Sequence, residues 1–284
     1  MKNQKSILIT GASTGIGKSC AVHLAGIGFK IFAGVRKEQD AKDWQKKGYE
    51  NIQPVILDVT DIKQVEATSE ILTNEKEYPL YGLINNAGIG ISGVVEVTPA
   101  DDFLNLLKVN VLGMHAVTKS VLPLLRKSQG RIINIGSTAS FFAGPGSSAY
   151  TASKFAVRGY TDCLRVEVTS FGMHVSLIAP GAIETEIWNK SAEYKKSLRK
   201  NTSAEIQEAY RMFISASDKM IKKIKPIPAI HVAKAAEHAL TAKKPKYTYI
   251  IGPDAKKAYN FTKLPKRIVT KLLLKHIEKS SIKS

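Results

Sequence analysis

Thr10-Gly11-Ala12-Ser13-Thr14-Gly15-Ile16-Gly17 stands between the apolar run Ser6-Ile7-Leu8-Ile9 and an amphipathic stretch that continues through Leu24. A short β-type run, a glycine-rich turn and a helix start, in that order, gather backbone N–H groups and a helix N-terminus at one point, which suits a pyrophosphate. Glycine-rich loops alone mark many ordinary turns; the strand-loop-helix context is what points to dinucleotide binding. The spacing is G-x-x-x-G-x-G rather than G-x-G-x-x-G.

Working outward from the loop, short β-type runs alternate with longer helical patterns. Strands are predicted at Ile7–Thr10, Lys30–Val35, Pro54–Leu57, Gly82–Asn85, Arg131–Gly136, His174–Ala179 and Tyr247–Ile251. Several are apolar throughout, as expected when helices cover both faces of a parallel sheet. The expected architecture is α/β: a doubly wound, seven-stranded parallel sheet of the Rossmann type with right-handed crossovers. A polar, helical insertion at about 187–225 follows the carboxyl end of the sixth strand, where such sheets bind ligands, and is predicted to be a substrate lid. Pro226 and Pro228 close it, and a helix resumes over Ala229–Leu240. With no linker or internal repeat, residues 1–284 read as one domain ending in a basic, helical tail at about 256–284.

The second strand ends in Gly34-Val35-Arg36-Lys37, near where an acidic residue would pair with the ribose hydroxyls of NAD. A guanidinium there can instead hold a 2′-phosphate through bidentate bonds, so Arg36 argues for NADP(H), with NAD(H) and a plain solvated arginine as the alternatives. Ser137 follows the fifth strand, and thirteen residues later comes Tyr150-Thr151-Ala152-Ser153-Lys154. Four residues apart, Tyr150 and Lys154 share one helix face. A free phenol near pKa 10 is a poor base at neutral pH. A nearby ammonium, helped by the positive ring of an oxidised nicotinamide, is expected to favour its phenolate. Ser137 is placed to hydrogen-bond the substrate oxygen.

These marks, in this order, resemble the short-chain dehydrogenase/reductase family over about residues 5–252. The resemblance implies a cofactor cradle of Gly11, Ser13, Thr14, Gly15, Ile16 and Gly17, and catalytic roles for Asn110, Ser137, Tyr150 and Lys154. Asn85-Asn86-Ala87-Gly88 matches the family's segment that supports the sheet and borders the adenosine ribose, giving Asn86, Ala87 and Gly88 as cofactor contacts. Asp58, with Val59 beside it, matches the aspartate that meets the adenine. Asn110 matches the asparagine that reaches the lysine through a water relay. Pro180-Gly181-Ala182-Ile183-Glu184-Thr185 matches the segment that fixes the nicotinamide, implying contacts from Pro180, Gly181, Ile183 and Thr185. Tyr150 and Lys154 are cofactor contacts as well, Lys154 through the nicotinamide ribose. On residue chemistry alone, Asn110 and Asp58 serve equally well as a helix-bending amide and a strand-end cap. The loop lacks the basic residue that many NADP-using members carry before Gly15, which leaves phosphate selection to Arg36 and Lys37.

Tyr150–Lys154 leading into Leu164-Arg165-Val166-Glu167 looks like the retinol and hydroxysteroid dehydrogenase branch, whose substrates are lipophilic alcohols and ketones. The apolar Phe141-Phe142-Ala143-Gly144 is expected to line such a pocket or to pack under the lid. The resemblance also implies a homo-oligomer. The competing expectation is an NADP(H)-binding sensor or scaffold without chemistry, which has no need of Ser137, Tyr150, Lys154 and Asn110 together.

Lys and Arg exceed Asp and Glu by 42 − 24 = 18, and residues 243–284 contribute 12 − 2 = 10 of that excess. Such a tail meets phosphates on an anionic membrane or is a solvated helix face. Within it, Leu264–Lys275 is amphipathic at helical spacing, which suits peripheral membrane contact as well as packing on the lid or a second subunit. No aromatic-interleaved basic motif accompanies the charge, so no nucleic-acid partner is expected. The N-terminus has no signal-peptide pattern and no run approaches the roughly 18 apolar residues of a spanning helix, so a cytoplasmic protein is expected. Cys20 and Cys163 read as buried helical spacers in a reducing compartment. The six histidines are scattered, and no metal is expected.

Overall fold

The computed structural model describes residues 5–223 and 225–281. Strands β1 (Ser6–Ile9), β2 (Lys30–Val35), β3 (Ile52–Ile56), β4 (Leu80–Asn85), β5 (Arg131–Ile135), β6 (His174–Pro180) and β7 (Thr248–Ile251) form one parallel sheet in the order β3-β2-β1-β4-β5-β6-β7. The order reverses between β1 and β4, and their carboxyl ends define the crevice where such sheets bind ligands. The predicted strands are all present. β3 begins two residues before the expected Pro54, because it is an edge strand, where a proline's missing N–H deprives no neighbour.

Helices α1 (Gly15–Gly26), α2 (Glu38–Lys46), α3 (Ile62–Asn74), α4 (Ala100–Leu107), α5 (Met114–Lys127) and α6 (Ser148–Thr169) connect the first six strands. After β6 come α7 (Ile187–Lys200), α8 (Ala204–Ala209) and α9 (Arg211–Lys223), which form the lid. α10 (Ile230–Thr241) leads into β7, and α11 (Pro253–Phe261) and α12 (Lys266–Ser281) follow it. Ile7 and Ile9 pack with α1, α2 and α10 on one face; Leu8 and Phe32 pack with α3, α5 and α6 on the other. Successive side chains of a strand point to opposite faces, so β1 is apolar at every position but its first.

Two polar features fix the elements that carry the site. Asn85 Nδ2 donates to Thr118 Oγ1 at 2.9 Å and to Asn134 Oδ1 at 2.8 Å, and Asn134 Nδ2 donates to Thr161 Oγ1 at 2.9 Å. This buried chain ties α5 and α6 to the middle of the sheet. Between α4 and α5 the chain runs through a π-helical stretch, Lys108–Gly113, which widens the helix at Asn110.

Cys20 is buried, but Cys163 is exposed, a departure from expectation. α6 turns Thr161, Leu164 and Val168 inward, and that spacing leaves position 163 on its outer face. α12 packs on α9 of the lid, and Val269, Leu273 and Ile277, four apart, are its partly buried side chains. Among the described residues no helix is long and apolar enough to cross a membrane.

Candidate active site

Ser137 leaves the end of β5 and caps a single 3-10 turn, Thr138–Ser140. Its Oγ accepts from Ala139 N–H at 3.2 Å, and its own N–H donates to the buried Ser140 Oγ at 3.1 Å. So held, the Ser137 hydroxyl lies near that of Tyr150, in the first turn of α6, close enough to favour its ionised form. One turn further on, the buried Lys154 donates from Nζ to the Ile135 carbonyl at 2.9 Å. The ammonium lies 5.9 Å from the Tyr150 ring centroid. Phenol, hydroxyl and ammonium therefore lie in one neighbourhood.

Their titration differs from the sequence expectation. Burial pushes the Tyr150 phenol above its usual pKa of 10.0, and the Ser137 hydroxyl, which favours phenolate, only partly opposes this. Burial also lowers Lys154 from 10.5 to about 8. In the protein alone, desolvation outweighs the help expected from the ammonium.

Asn110 does not reach Lys154 directly. Its Oδ1 accepts from Ile89 N–H at 2.9 Å, while Nδ2 donates to Ile89 O at 3.0 Å and Ser153 Oγ at 3.1 Å. Asn110 and Lys154 nevertheless flank one point: a Cβ added at Gly88 would lie 3.2 Å from Asn110 Oδ1 and 3.8 Å from Lys154 Nζ.

The glycine loop is shaped as a cradle. Gly11 and Gly15 have φ of 63° and 54°, the left-handed region that glycine enters without penalty. A Cβ at Gly17 would come within 2.4 Å of Gly11 O, so the helix start closes tightly on the loop. Thr10 Oγ1 accepts from Asn86 N–H at 3.0 Å and Ala87 N–H at 2.9 Å, and Asn86 Nδ2 returns bonds to the Thr10 and Gly11 carbonyls at 2.9 Å each. Asn86 and Ala87 thus hold the loop from behind. A cavity of about 450 Å³ lies over it, lined by Thr14, Gly15, Lys18, Glu184, Thr185, Glu186 and Asn189. Backbone donors, open volume and absent side chains fit a bound pyrophosphate.

Of the other predicted contacts, Ser13, Thr14 and Ile16 lie on the loop and the α1 start. Arg36 is exposed just past β2 and makes no ion pair among the described residues. Asp58 caps the turn after β3, its Oδ1 accepting from Thr60 N–H at 2.9 Å and Thr60 Oγ1 at 2.7 Å. Val59 is buried, its side chain committed to the core.

Pro180–Thr185 bends back over the loop. Thr138 Oγ1 donates to Pro180 O at 3.2 Å, Gly181 N–H to Ile251 O at 2.8 Å, and a Cβ at Gly15 would lie 2.8 Å from Thr185 Cγ2. Ile183 is buried. The sequence did not single out Asp254, whose Oδ2 accepts from Ala182 N–H at 2.7 Å and pins this segment from the first turn of α11. Nor did it show Ser140, Ser153 and Ile135 O holding the catalytic candidates. These partners come from segments brought together only by the fold, so spacing carries no trace of them.

The lid is seated over the site. Tyr194 on α7 donates to Asp102 Oδ2 at 2.7 Å, and the Ser92 and Ser191 hydroxyls are 2.9 Å apart. Ile187 and Tyr150 both border Gly90. Lys195 and Arg199 on α7 bind Asp218 on α9 at 2.8 and 2.6 Å. A larger cleft of about 640 Å³ lies within the lid, away from Tyr150. Phe141 and Phe142 pack edge-on against Tyr259 and Phe261 of α11, at centroid distances of 5.2 and 6.1 Å, which ties the segment after Ser137 to α11.

A cradle at a β1/β4 switch point beside a Ser-Tyr-Lys cluster defines a class, and comparison with known proteins agrees with it. The family model described as short chain dehydrogenase matches residues 5–196, and the chain belongs to the short-chain dehydrogenase/reductase family. It is 36 % identical over 266 residues to 3-amino-tetrahydro-pyrrolizinone reductase of Xenorhabdus hominickii, covering 92 % of this chain and 91 % of that one. It is 36 % identical over 262 residues to retinol dehydrogenase 7 of Mus musculus, covering 90 % and 83 %. The structure of ElxO with NADP bound is similar with a TM-score of 0.69 and 29 % identity, over 87 % of this chain and 95 % of that one. The protein is an oxidoreductase that uses a nicotinamide cofactor to interconvert alcohol and carbonyl groups.

Proposed function

We propose that the protein is an NADP(H)-dependent reductase or dehydrogenase of a lipophilic alcohol and its ketone or aldehyde, with Tyr150 transferring the proton. The convergence of Ser137, at the end of β5, with Tyr150 and the buried Lys154 on α6 carries this reading, because it brings two hydroxyls and an ammonium to one place. A carbonyl oxygen there accepts from both hydroxyls. The bound cofactor supplies the hydride. Tyr150, a neutral phenol because burial raises its pKa, is in the correct form to donate the proton in reduction. Ser137 holds the oxygen as charge develops on it. Lys154 keeps a positive charge below pH of about 8 and favours the phenolate that proton donation leaves behind. Asn110 and Ser153 hold the backbone beside Gly88, preserving the space next to Lys154.

Arg36, exposed and without a carboxylate partner among the described residues, supports a 2′-phosphate and hence NADP(H). Ile187, Ile91 and Phe103 around Tyr150 support an apolar substrate. Exposed Leu112 and Phe155, on the outer side of the π-helical stretch and α6, support self-association.

A panel of aldehydes and ketones assayed with NADPH and NADH in parallel, using wild type and Tyr150→Phe, tests the assignment. Wild type should consume NADPH preferentially with apolar carbonyls, and Tyr150→Phe should bind NADPH but turn over roughly 100-fold or more slowly. Full turnover by Tyr150→Phe would overturn the acid/base role.

A further inference from the structure

We propose that the outer face of α12 docks on an anionic lipid surface and seats the substrate lid there. Arg267, Lys271, Lys275 and Lys279 follow one another four apart, so the helix carries a continuous ridge of four basic side chains. Like charges at this spacing repel one another, and an anionic surface relieves the repulsion. Residues 262–281 hold six basic residues and one acidic residue.

Beside that ridge Ile268 and Leu272, four apart, stay 45 % and 43 % exposed, and Leu264, just before the helix, is exposed as well. Neither Ile268 nor Leu272 belongs to the face that packs on α9, since the partly buried positions are Val269, Leu273 and Ile277. A nucleic-acid backbone would match the cations but give the aliphatic side chains no partner. The boundary between lipid headgroups and acyl chains matches both kinds of side chain at once, cations toward the phosphates and aliphatic side chains toward the hydrocarbon.

The position of α12 gives the docking a consequence. Its partner α9 places Phe213 against Gly146, within the segment between Ser137 and Tyr150, and the preceding helix α11 packs Tyr259 and Phe261 on Phe141 and Phe142. A membrane held by α12 therefore lies near the segment that joins Ser137 to Tyr150, and a lipophilic carbonyl reaches Tyr150 from the lipid phase. That consequence rests on the proposed substrate class; the docking does not.

Flotation of the full chain with phosphatidylglycerol/phosphatidylcholine vesicles and with pure phosphatidylcholine vesicles tests the docking, alongside two variants. Ile268→Ser with Leu272→Ser keeps the charge, and Lys271→Glu with Lys275→Glu keeps the apolar pair. Wild type should float with the anionic vesicles only. Each variant should partition about tenfold less while binding NADPH like wild type, which shows an intact fold. No flotation of wild type, or equal flotation of the serine variant, would overturn the docking. So would duplex DNA binding that displaces the protein from vesicles and is indifferent to Ile268 and Leu272. In an assay of turnover, anionic vesicles should raise kcat/KM for a membrane-dissolved ketone and leave a water-soluble one unchanged in wild type. Loss of all turnover with intact flotation would strike the proposed reaction and not the docking.

Discussion

Asn110 closes both of its polar groups on the backbone of Ile89, accepting its N–H at 2.9 Å and donating to its carbonyl at 3.0 Å. The π-helical turn makes this possible by widening the helix where the amide must face the loop after β4. Asn110→Ala leaves those groups and Ser153 Oγ short of partners in a buried place. Stability should fall by about 2–3 kcal/mol, the cost of stranding buried polar groups, measured by urea denaturation. Turnover should fall with it as Ile89 and Gly88 shift beside Lys154. An unchanged denaturation midpoint would mean the clamp contributes nothing.

Lys154 gives the protein a stability that rises with pH. Its folded pKa, about 8, lies below the 10.5 of the free side chain, so between these values the unfolded chain binds more protons than the folded one. Below about 8 both states are charged and the folded state bears the full burial penalty; the penalty is relieved as pH climbs toward 10.5. The relief is on the order of 3 kcal/mol. Comparing wild type with Lys154→Met by denaturation across that range isolates this group from the other lysines. Parallel stability curves for the two proteins would refute the lowered pKa.

The fold was legible because its signals are local. β1 and its loop, the apolar strands and the Tyr150–Lys154 pair are all read within a few residues, and apolar runs fix a sheet covered on both faces. What was not legible depends on long-range packing. Asn110 and Asp58 each had two readings from their chemistry, and the structure shows both in hydrogen-bonded structural roles. The direction of the Tyr150 shift depends on burial by the lid and by Ile91, Leu106 and Ala149, from distant segments. Pro54 argued for a late start to β3 until its edge position was known. Cys163 was rightly placed on a helix but on its buried side, whereas α6 turns it outward.

Arg36 is the test of cofactor choice. It stands exposed past β2, and Lys37 starts the helix that follows. Arg36→Asp removes a bidentate partner for a 2′-phosphate and supplies a carboxylate that suits ribose hydroxyls instead. The NADPH-to-NADH ratio of kcat/KM should fall by roughly 10- to 100-fold, the worth of charge-assisted bonds. A ratio equal to wild type would place phosphate selection elsewhere.

Asp254 links the last part of the sheet to the site. Its Oδ2 accepts from Ala182 N–H at 2.7 Å, and a Cβ at Gly181 would lie within 2.2 Å of both carboxylate oxygens, so the carboxylate sits directly on the backbone of Pro180–Thr185. It also lies in the first turn of α11, where a negative charge is favoured by the helix dipole. Asp254→Ala leaves the Ala182 N–H without its acceptor and frees the segment from α11, while Ser137, Tyr150 and Lys154 keep their bonds. KM for the cofactor should rise about tenfold, in line with the loss of one charge-assisted hydrogen bond, with a smaller change in kcat. Asp254→Asn keeps an oxygen acceptor for Ala182 and should recover most of the loss. Gly181→Ala should behave like the alanine variant, because its methyl group must displace the same carboxylate. If Asp254→Ala binds NADPH as tightly as wild type, the segment is held by its bonds to Thr138, Ile251, Ile227 and Trp188, and Asp254 has no positioning role.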